Sequence, residues 1–217
     1  MKPASPGRAV RTTLTVTESV RSPVGIDAAL RARIDALCDE GRAYWHDFDA
    51  EVRQDHWHPF VAADYDCVLD ALIELREPGK RFLEWGSATG VIAIMADMLG
   101  FDSFGIELDA SLVEVGRGLA ARTGSKARFA TGSFLPLGWE FRARDGDARL
   151  GTIGQGPSGY LELGHALSDF DVVYAFPWGG EEPMMVELMR AHGHKDARLV
   201  LHSTDYGVRT YRHGRPE

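Results

Sequence analysis

The sequence predicts an α/β protein with a doubly wound, mainly parallel sheet of about five or six strands, helices on both faces and an N-terminal helical extension. Two observations lead to this prediction. After residue 80, short apolar segments alternate with segments of helical periodicity, the pattern of a parallel sheet with crossover helices. Before residue 80, the apolar positions recur only at helical spacing.

The N-terminal third divides into a tail and two helices. Residues 1–25 are rich in Pro, Ser and Thr and predict a flexible tail, in which 13–17 alternates like a short strand. One helix is expected after the N-cap Asp27, and a second over 60–76, ended by Pro78-Gly79. We therefore expect a tail over 1–25, a helical extension or lid over 26–79, and a ligand-binding domain over 80–217.

Five segments of the ligand-binding domain have strand character, and helices separate most of them. The predicted strands are 81–85, 103–107, 126–131, 170–176 and 197–202. The predicted helices are 91–99, one with a capping box at 111–114 that Gly124 ends, and 181–191. Residues 138–160 are rich in Gly and charge without periodicity and predict a long loop.

Charge and composition exclude several classes of function. The 217 residues carry 24 Lys and Arg against 32 Asp and Glu, a formal charge of -8 that disfavours general binding to nucleic acid or to anionic membranes. The apolar run over 90–101 is too short to span a bilayer, and no signal peptide is recognisable. Cys38 and Cys67 do not form a secreted disulfide framework. These features predict a cytoplasmic protein.

A glycine-bearing turn after the first strand is the most informative motif. It reads Glu84-Trp85-Gly86-Ser87-Ala88-Thr89-Gly90. A dinucleotide fingerprint would need glycines at 86, 88 and 91, and two of these three are missing, which disfavours a nicotinamide dehydrogenase. The pattern that fits is acidic-x-Gly-x-(Gly/Ala)-x-Gly. A carboxylate at Glu84 would repel a pyrophosphate but suits an ammonium or sulfonium ligand.

At these residues the chain resembles the class I, Rossmann-like S-adenosylmethionine-dependent methyltransferases, over about 81–203. The resemblance implies that Glu107, at the end of the second strand, binds ribose hydroxyls, and that Ser133 and Phe134, after the third strand, face the adenine. It implies S-adenosylmethionine as cofactor and S-adenosylhomocysteine as product. The cofactor-binding residues implied are Glu84, Gly86, Ser87, Ala88, Gly90, Glu107, Leu108, Ser133, Phe134 and Ala175.

The fourth strand is expected to bring residues beside the methyl group. It continues as Tyr174-Ala175-Phe176-Pro177-Trp178 and lacks the Asp or Asn with which amine methyltransferases of this family bind an exocyclic amine. Nucleobase N-methylation is therefore disfavoured. We expect Tyr174 and Trp178 to contact substrate, and Glu181 to act as general base or to bind a cationic substrate.

Histidines and the C-terminus complete the sequence-based prediction. No metal site is expected, although His202 at the end of the fifth strand lies where α/β sheets bind ligands. His58 and Trp57, with Tyr65, form a segment of the kind that covers the cofactor in this family. Only 15 residues follow the fifth strand, and 207–212 can add one short strand. The tail, or a second subunit in a homodimer, would then supply the sheet edge.

The predicted activity is methyl transfer by an SN2 step to a small-molecule acceptor, an enzyme of EC 2.1.1 type. The alternative is a non-catalytic protein or partner subunit that binds S-adenosylmethionine or S-adenosylhomocysteine. Aminopropyl transfer from the same pocket is disfavoured, because it needs an acidic residue where Ala175 stands.

Overall fold

A computed structural model describes residues 25–53, 58–139 and 156–217. Its centre is a seven-stranded sheet in the order β3-β2-β1-β4-β5-β6-β7, in which the first five strands are parallel and the last two pair antiparallel. The strands are β1 Arg81–Trp85, β2 Asp102–Glu107, β3 Arg128–Thr131, β4 Val172–Ala175, β5 Arg198–Ser203, β6 Gly207–Arg212 and β7 Arg215–Pro216. The helices are α1 Ala28–Phe48, α2 Tyr65–Leu75, α3 Val91–Met98, α4 Ala110–Thr123, α5 Tyr160–Leu163 and α6 Glu182–His192, with a π-helical turn at Asp49–Arg53 and a 3₁₀ turn at Leu167–Asp169.

The alternation of side chains along the strands divides the core into two layers. On β1, Phe82 and Glu84 point to one face of the sheet, and Leu83 and Trp85 point to the other. The first face is covered by α1, α2, α3 and α4, and the second by α5 and α6. The doubly wound, Rossmann-like architecture predicted from the sequence is therefore confirmed.

The two N-terminal helices belong to the same core as the sheet. Ile34 and Leu37 of α1 and Leu69 and Leu72 of α2 are at most 1% exposed and pack with the apolar helix α3. Asp27 caps α1 as predicted, because its Oδ1 accepts the Leu30 N–H at 2.8 Å. None of the helices in the described part of the chain is long and apolar enough to cross a membrane.

The far edge of the sheet differs from the prediction of five or six strands. β6 pairs antiparallel with β5 over six residues, and β7 then pairs with β6, so the C-terminal hairpin extends the sheet to seven strands. A hairpin needs only a short turn, and for that reason 15 residues suffice for two strands. The 13–17 segment, which we considered for this edge, lies outside the described residues.

Two helix starts differ from the sequence-based boundaries because of capping. Asp64 accepts the Cys67 N–H, so α2 begins at Tyr65 and 60–64 is non-helical. Asp109, rather than Ser111, caps α4, because its carboxylate accepts the N–H groups of both Ser111 and Leu112. Gly124 ends α4 as predicted, with φ of 68°. Residues 140–155 of the predicted loop lie outside the described residues.

We expect two glycines of α4 to respond differently to alanine. In Gly118→Ala the new Cβ meets only a flexible arginine end at 3.3 Å, so the gain in helix propensity should raise the free energy of unfolding by about 0.5–1 kcal/mol. In Gly116→Ala it would lie 3.2 Å from the Thr89 carbonyl oxygen, which displaces the β1–α3 turn. Urea denaturation should show stabilisation for Gly118→Ala alone. Equal stabilisation of Gly116→Ala would mean that α4 is not in close contact with the β1–α3 turn.

Candidate functional site

The β1–α3 turn brings backbone, rather than side chains, to the carboxyl edge of the sheet. Gly86 and Gly90 have φ of 66° and 73°, and Ala88 has φ of 44°. A Cβ on Gly90 would lie 2.4 Å from the Phe129 ring, so only glycine fits there. A Cβ on Gly86 would meet nothing within 4 Å, so the backbone at this position is open to a ligand.

Glu84 is a carboxylate held inside the protein next to this turn. Its side chain is 4% exposed, and Oε2 accepts the N–H of Ala93 in the first turn of α3 at 2.8 Å. Burial raises the pKa of Glu84 well above its usual value, and the nearby Glu107 raises it further, while the bond from Ala93 opposes both. The site therefore contains a buried acidic group that a cation would stabilise.

Glu107, at the end of β2, joins the two loops that follow β1 and β2. Its Oε2 accepts the Ala88 N–H at 2.8 Å, and its Oε1 accepts the Asp109 N–H at 3.0 Å. Burial raises the pKa of this carboxyl, and the backbone N–H groups oppose that effect. The bond to Ala88 also holds the one non-glycine residue of the β1–α3 turn that has positive φ.

A histidine from the N-terminal region reaches the same loop. His58 Nδ1 accepts the Phe60 N–H, and Nε2 of the same ring lies 3.3 Å from Asp109 Oδ2. Burial acts to raise the pKa of Asp109, but bonds from Ser111 and Leu112, together with His58, outweigh it and lower the pKa. Beside them Phe48, Phe60 and Leu112 form an apolar cluster against Ala88. Trp57, which we expected in the segment that covers the cofactor, lies outside the described residues.

A cleft separates the 60–65 segment from the ends of β1 and β4. Its walls include Glu84, Gly86, Ser87, Ala88, Tyr174 and Phe176. The Ser87 Oγ and the Tyr174 hydroxyl are both buried and have no hydrogen-bond partner among the described residues. Because a buried polar group without a partner is costly, these two hydroxyls mark the cleft as a place for a polar ligand.

Ser133 and Phe134, expected to face the adenine, and Leu108, expected to bind the cofactor, lie at the β2 and β3 ends, away from the described cleft. The fully buried Ser133 accepts the Leu135 N–H with its hydroxyl, and its backbone pairs with 157–159. Phe134 stacks on Trp85 with ring centroids 5.3 Å apart, inside the second core layer. Leu108 is half-buried in the loop after β2.

The residues expected to be catalytic are separated by the structure. Tyr174 is 1% exposed and lines the cleft. Glu181 is also 1% exposed, and its Oε2 accepts the Trp178 N–H at 3.1 Å, which closes the turn between β4 and α6. Ala175 ends β4 between Trp85 and Leu201. Of the three residues expected to be catalytic, Tyr174, Trp178 and Glu181, only Tyr174 lines the described cleft.

His202 is buried next to Phe176, at the end of β5. The sequence predicted only that it lies at the edge of the sheet where ligands bind. Its side chain is 3% exposed, and its ring centroid is 4.5 Å from that of Phe176. Burial lowers the pKa of His202, and Asp64 opposes that effect. Its position at the end of β5 could be predicted from the sequence, whereas the burial of its side chain could not. In the described part of the chain, no three His, Cys, Asp or Glu side chains are grouped to hold a metal ion.

Comparison with known proteins yields a curated relative and many solved structures, whereas no protein-family model matches. Over 73 residues the chain is 36% identical to the ribosomal protein L11 methyltransferase of Thermus thermophilus, a match that covers 32% of this chain and 29% of that protein. The resemblance stated from the sequence is thereby confirmed, and the match spans less than a third of the curated relative's length.

The solved structures are similar at low sequence identity. An RNA methyltransferase from Salinibacter ruber, in complex with S-adenosyl-L-homocysteine, is 18% identical over 63% of this chain and 74% of its own, with a TM-score of 0.45. A precorrin-6y C5,15-methyltransferase from Geobacter metallireducens is 14% identical over 67% and 65%, with a TM-score of 0.46.

Replacing Glu84 by Gln should stabilise the ligand-free protein at neutral pH. The pKa of Glu84 is raised in the folded state, so the folded protein keeps a proton that the unfolded chain releases above about pH 4.5. Stability is then lost as the pH rises from that value toward the folded pKa, and the loss persists above it. Glu84→Gln should therefore unfold at higher urea than the unsubstituted protein at pH 8, with the difference shrinking toward pH 4.5. A less stable variant at pH 8 would contradict this account.

Proposed function

We propose that the protein is an S-adenosylmethionine-dependent methyltransferase, an enzyme of EC 2.1.1 type. The observation that carries the proposal is the placement of two partly desolvated carboxylates, Glu84 and Glu107, on either side of a turn with open backbone at Gly86. Negative charge there disfavours a pyrophosphate and favours a ligand with ammonium, sulfonium and hydroxyl groups. S-adenosylmethionine carries all three.

The residues present fit this cofactor. Glu107 would accept from the ribose hydroxyls, since a carboxylate has about four acceptor positions and two are used by Ala88 and Asp109. Glu84 and the Ser87 hydroxyl would bind the cationic methionine end, which would compensate the buried charge and give Ser87 a partner. Gly90, Leu108 and Ala175 would shape the pocket, and Ser133 and Phe134 would support its adenine end. When bound, the cofactor supplies a methyl group on a sulfonium and leaves as S-adenosylhomocysteine.

The acceptor we propose is a small molecule. The cleft beside Glu84 is formed by buried and half-buried side chains, and the formal charge of -8 works against a nucleic-acid acceptor. Tyr174 would contact the acceptor, while Trp178 and Glu181 would fix the wall after β4. The curated relative is named for a ribosomal protein, so methylation of a protein is the outcome that would replace this part of the proposal.

Calorimetric titration with S-adenosylhomocysteine should show binding that depends on Glu107. We expect Glu107→Ala to weaken binding at least ten-fold, because it removes the ribose acceptor and the support of Ala88. Glu114→Ala is the matched control, since Glu114 is an exposed glutamate of α4 paired with Arg117. Absence of binding to the unsubstituted protein would overturn the proposal. Binding without methyl transfer to any acceptor would favour the non-catalytic alternative.

A further inference from the structure

The cleft beside Glu84 is narrow in this conformation. Its volume is about 40 Å³. That is room for about three water molecules, since one water needs roughly 10–15 Å³, whereas pockets that hold small ligands have volumes of about 300–1,000 Å³. The methionine end of S-adenosylmethionine carries a carboxylate, an ammonium and a sulfonium. It is therefore too large for the cleft unless one side of the cleft moves.

The polar groups inside the cleft are closed off from solvent, whereas the neighbouring turn is open. Glu84 is 4% exposed, and the Ser87 Oγ and the Tyr174 hydroxyl are buried. Gly86, in contrast, is exposed, and Glu107 is half-buried. The side of the site proposed for the ribose is thus accessible, and the side proposed for the methionine end is not.

The outer side of the cleft is formed by residues 58–64, which we call the wall segment. Residues 60–63 line the cleft and belong to no helix or strand. Within the part of the chain that the structure describes, 61–63 form no hydrogen bond, and the end of the segment is fixed where Asp64 caps α2. The opposite sides of the cleft are strand ends bonded on both flanks. The wall segment is therefore the part of the cleft that moves at the lowest cost.

His58 attaches the other end of the wall segment to the start of α4. Its Nε2 lies 3.3 Å from Asp109 Oδ2, and its ring packs edge-on against Phe48 with centroids 5.0 Å apart. The Phe60 N–H donates to Nδ1 of the same ring, so the contact also fixes the chain where it begins to line the cleft. The Asp109 N–H donates to Glu107 Oε1. The His58–Asp109 pair therefore joins the wall segment to the loop that holds the proposed ribose acceptor.

We propose that the His58–Asp109 pair is a latch that keeps the wall segment closed over the cleft, and that the segment moves away to admit the methionine end of the cofactor. This inference rests on the proposed function and concerns the regulation of the same site. The adenosine end binds first on the open side, at Gly86 and Glu107, and the methionine end enters the cleft only after the pair has separated. Because the latched conformation excludes that end, the latch slows association and lowers the apparent affinity.

Stopped-flow mixing with S-adenosylhomocysteine tests the latch. His58→Ala should raise the association rate constant and lower the Kd about two- to five-fold, the effect expected of one partly exposed pair. The dissociation rate constant should not change, because the pair is already separated in the bound protein. Methylthioadenosine, which lacks the amino-acid part, should bind both proteins equally. A general loss of structure would instead weaken the binding of both ligands.

Two further variants control for the histidine substitution. Asp109→Asn keeps a good helix cap and the N–H that donates to Glu107 but removes the charge opposite His58, so it should also speed association. The double variant should bind no faster than His58→Ala, because both substitutions remove the same contact. His165→Ala changes a half-buried histidine packed on Phe104 in the other core layer and should leave association unchanged.

The opening of the wall segment can also be measured without a cofactor. Ser87→Cys places a thiol in the cleft, and its modification by iodoacetamide is measured above the background from Cys38 and Cys67. Modification should be slow and should become about two- to five-fold faster when His58→Ala is added, because the thiol reacts only while the segment is open.

The outcomes separate this inference from the proposed function. Weaker binding of S-adenosylhomocysteine by His58→Ala, with methylthioadenosine unchanged, would overturn the latch and mean that the wall segment holds the bound cofactor instead. Equal rates of thiol modification with and without His58 would overturn it as well. Absence of S-adenosylhomocysteine binding to the unsubstituted protein would overturn the proposed function. Faster thiol modification after His58→Ala would even then support a latched cleft.

Discussion

The structure of the site depends on two carboxylates that the fold keeps out of water and binds with backbone N–H groups. Glu84 accepts from Ala93 at the start of α3, and Glu107 accepts from Ala88 and Asp109. These bonds connect β1 to its crossover helix and join the loops after β1 and β2. They partly offset the cost of burying negative charge, which otherwise raises the pKa of each carboxyl. The remaining cost is what a cationic, hydroxyl-bearing ligand would reduce.

The N-terminal helices complete the site as well as the core. α1 and α2 cover the face of the sheet to which Glu84 and Tyr174 point, so the cleft lies between their connecting segment and the strand ends. The His58–Asp109 pair attaches this segment to the start of α4, next to the loop that Glu107 holds. Among the described residues, the Tyr174 hydroxyl and His202 Nδ1 are buried without a hydrogen-bond partner, and burial lowers the pKa of the histidine. A buried polar group without a hydrogen-bond partner lowers the stability of the fold, and a ligand that pairs with that group would offset the loss.

Much of the fold followed from local patterns. Strand and helix alternation predicted the parallel sheet, Asp27 and Gly124 were recognisable as helix caps, and the Gly86–Gly90 spacing located the β1–α3 turn at which we propose that the ligand binds. The helices start at Tyr65 and Ala110 rather than at the predicted residues, because the carboxylates of Asp64 and Asp109 accept the first free N–H groups. The number of strands was underestimated, because the edge pairing of 207–216 comes from contact with β5 rather than from periodicity.

By itself, the sequence determined the order of the elements, the glycine-bearing turn after β1 and the acidic residues at two strand ends, because each of these follows from local spacing and side-chain chemistry. Only the tertiary structure decided which polar groups find partners. Ser133 accepts the Leu135 N–H within its own turn, and Glu181 closes the β4–α6 turn. Tyr174 and His202 lie on the neighbouring strands β4 and β5, whose parallel register aligns Tyr174 with Val200. Whether a buried polar group finds a hydrogen-bond partner depends on residues that are distant in sequence, so it cannot be predicted from the spacing of residues along the chain.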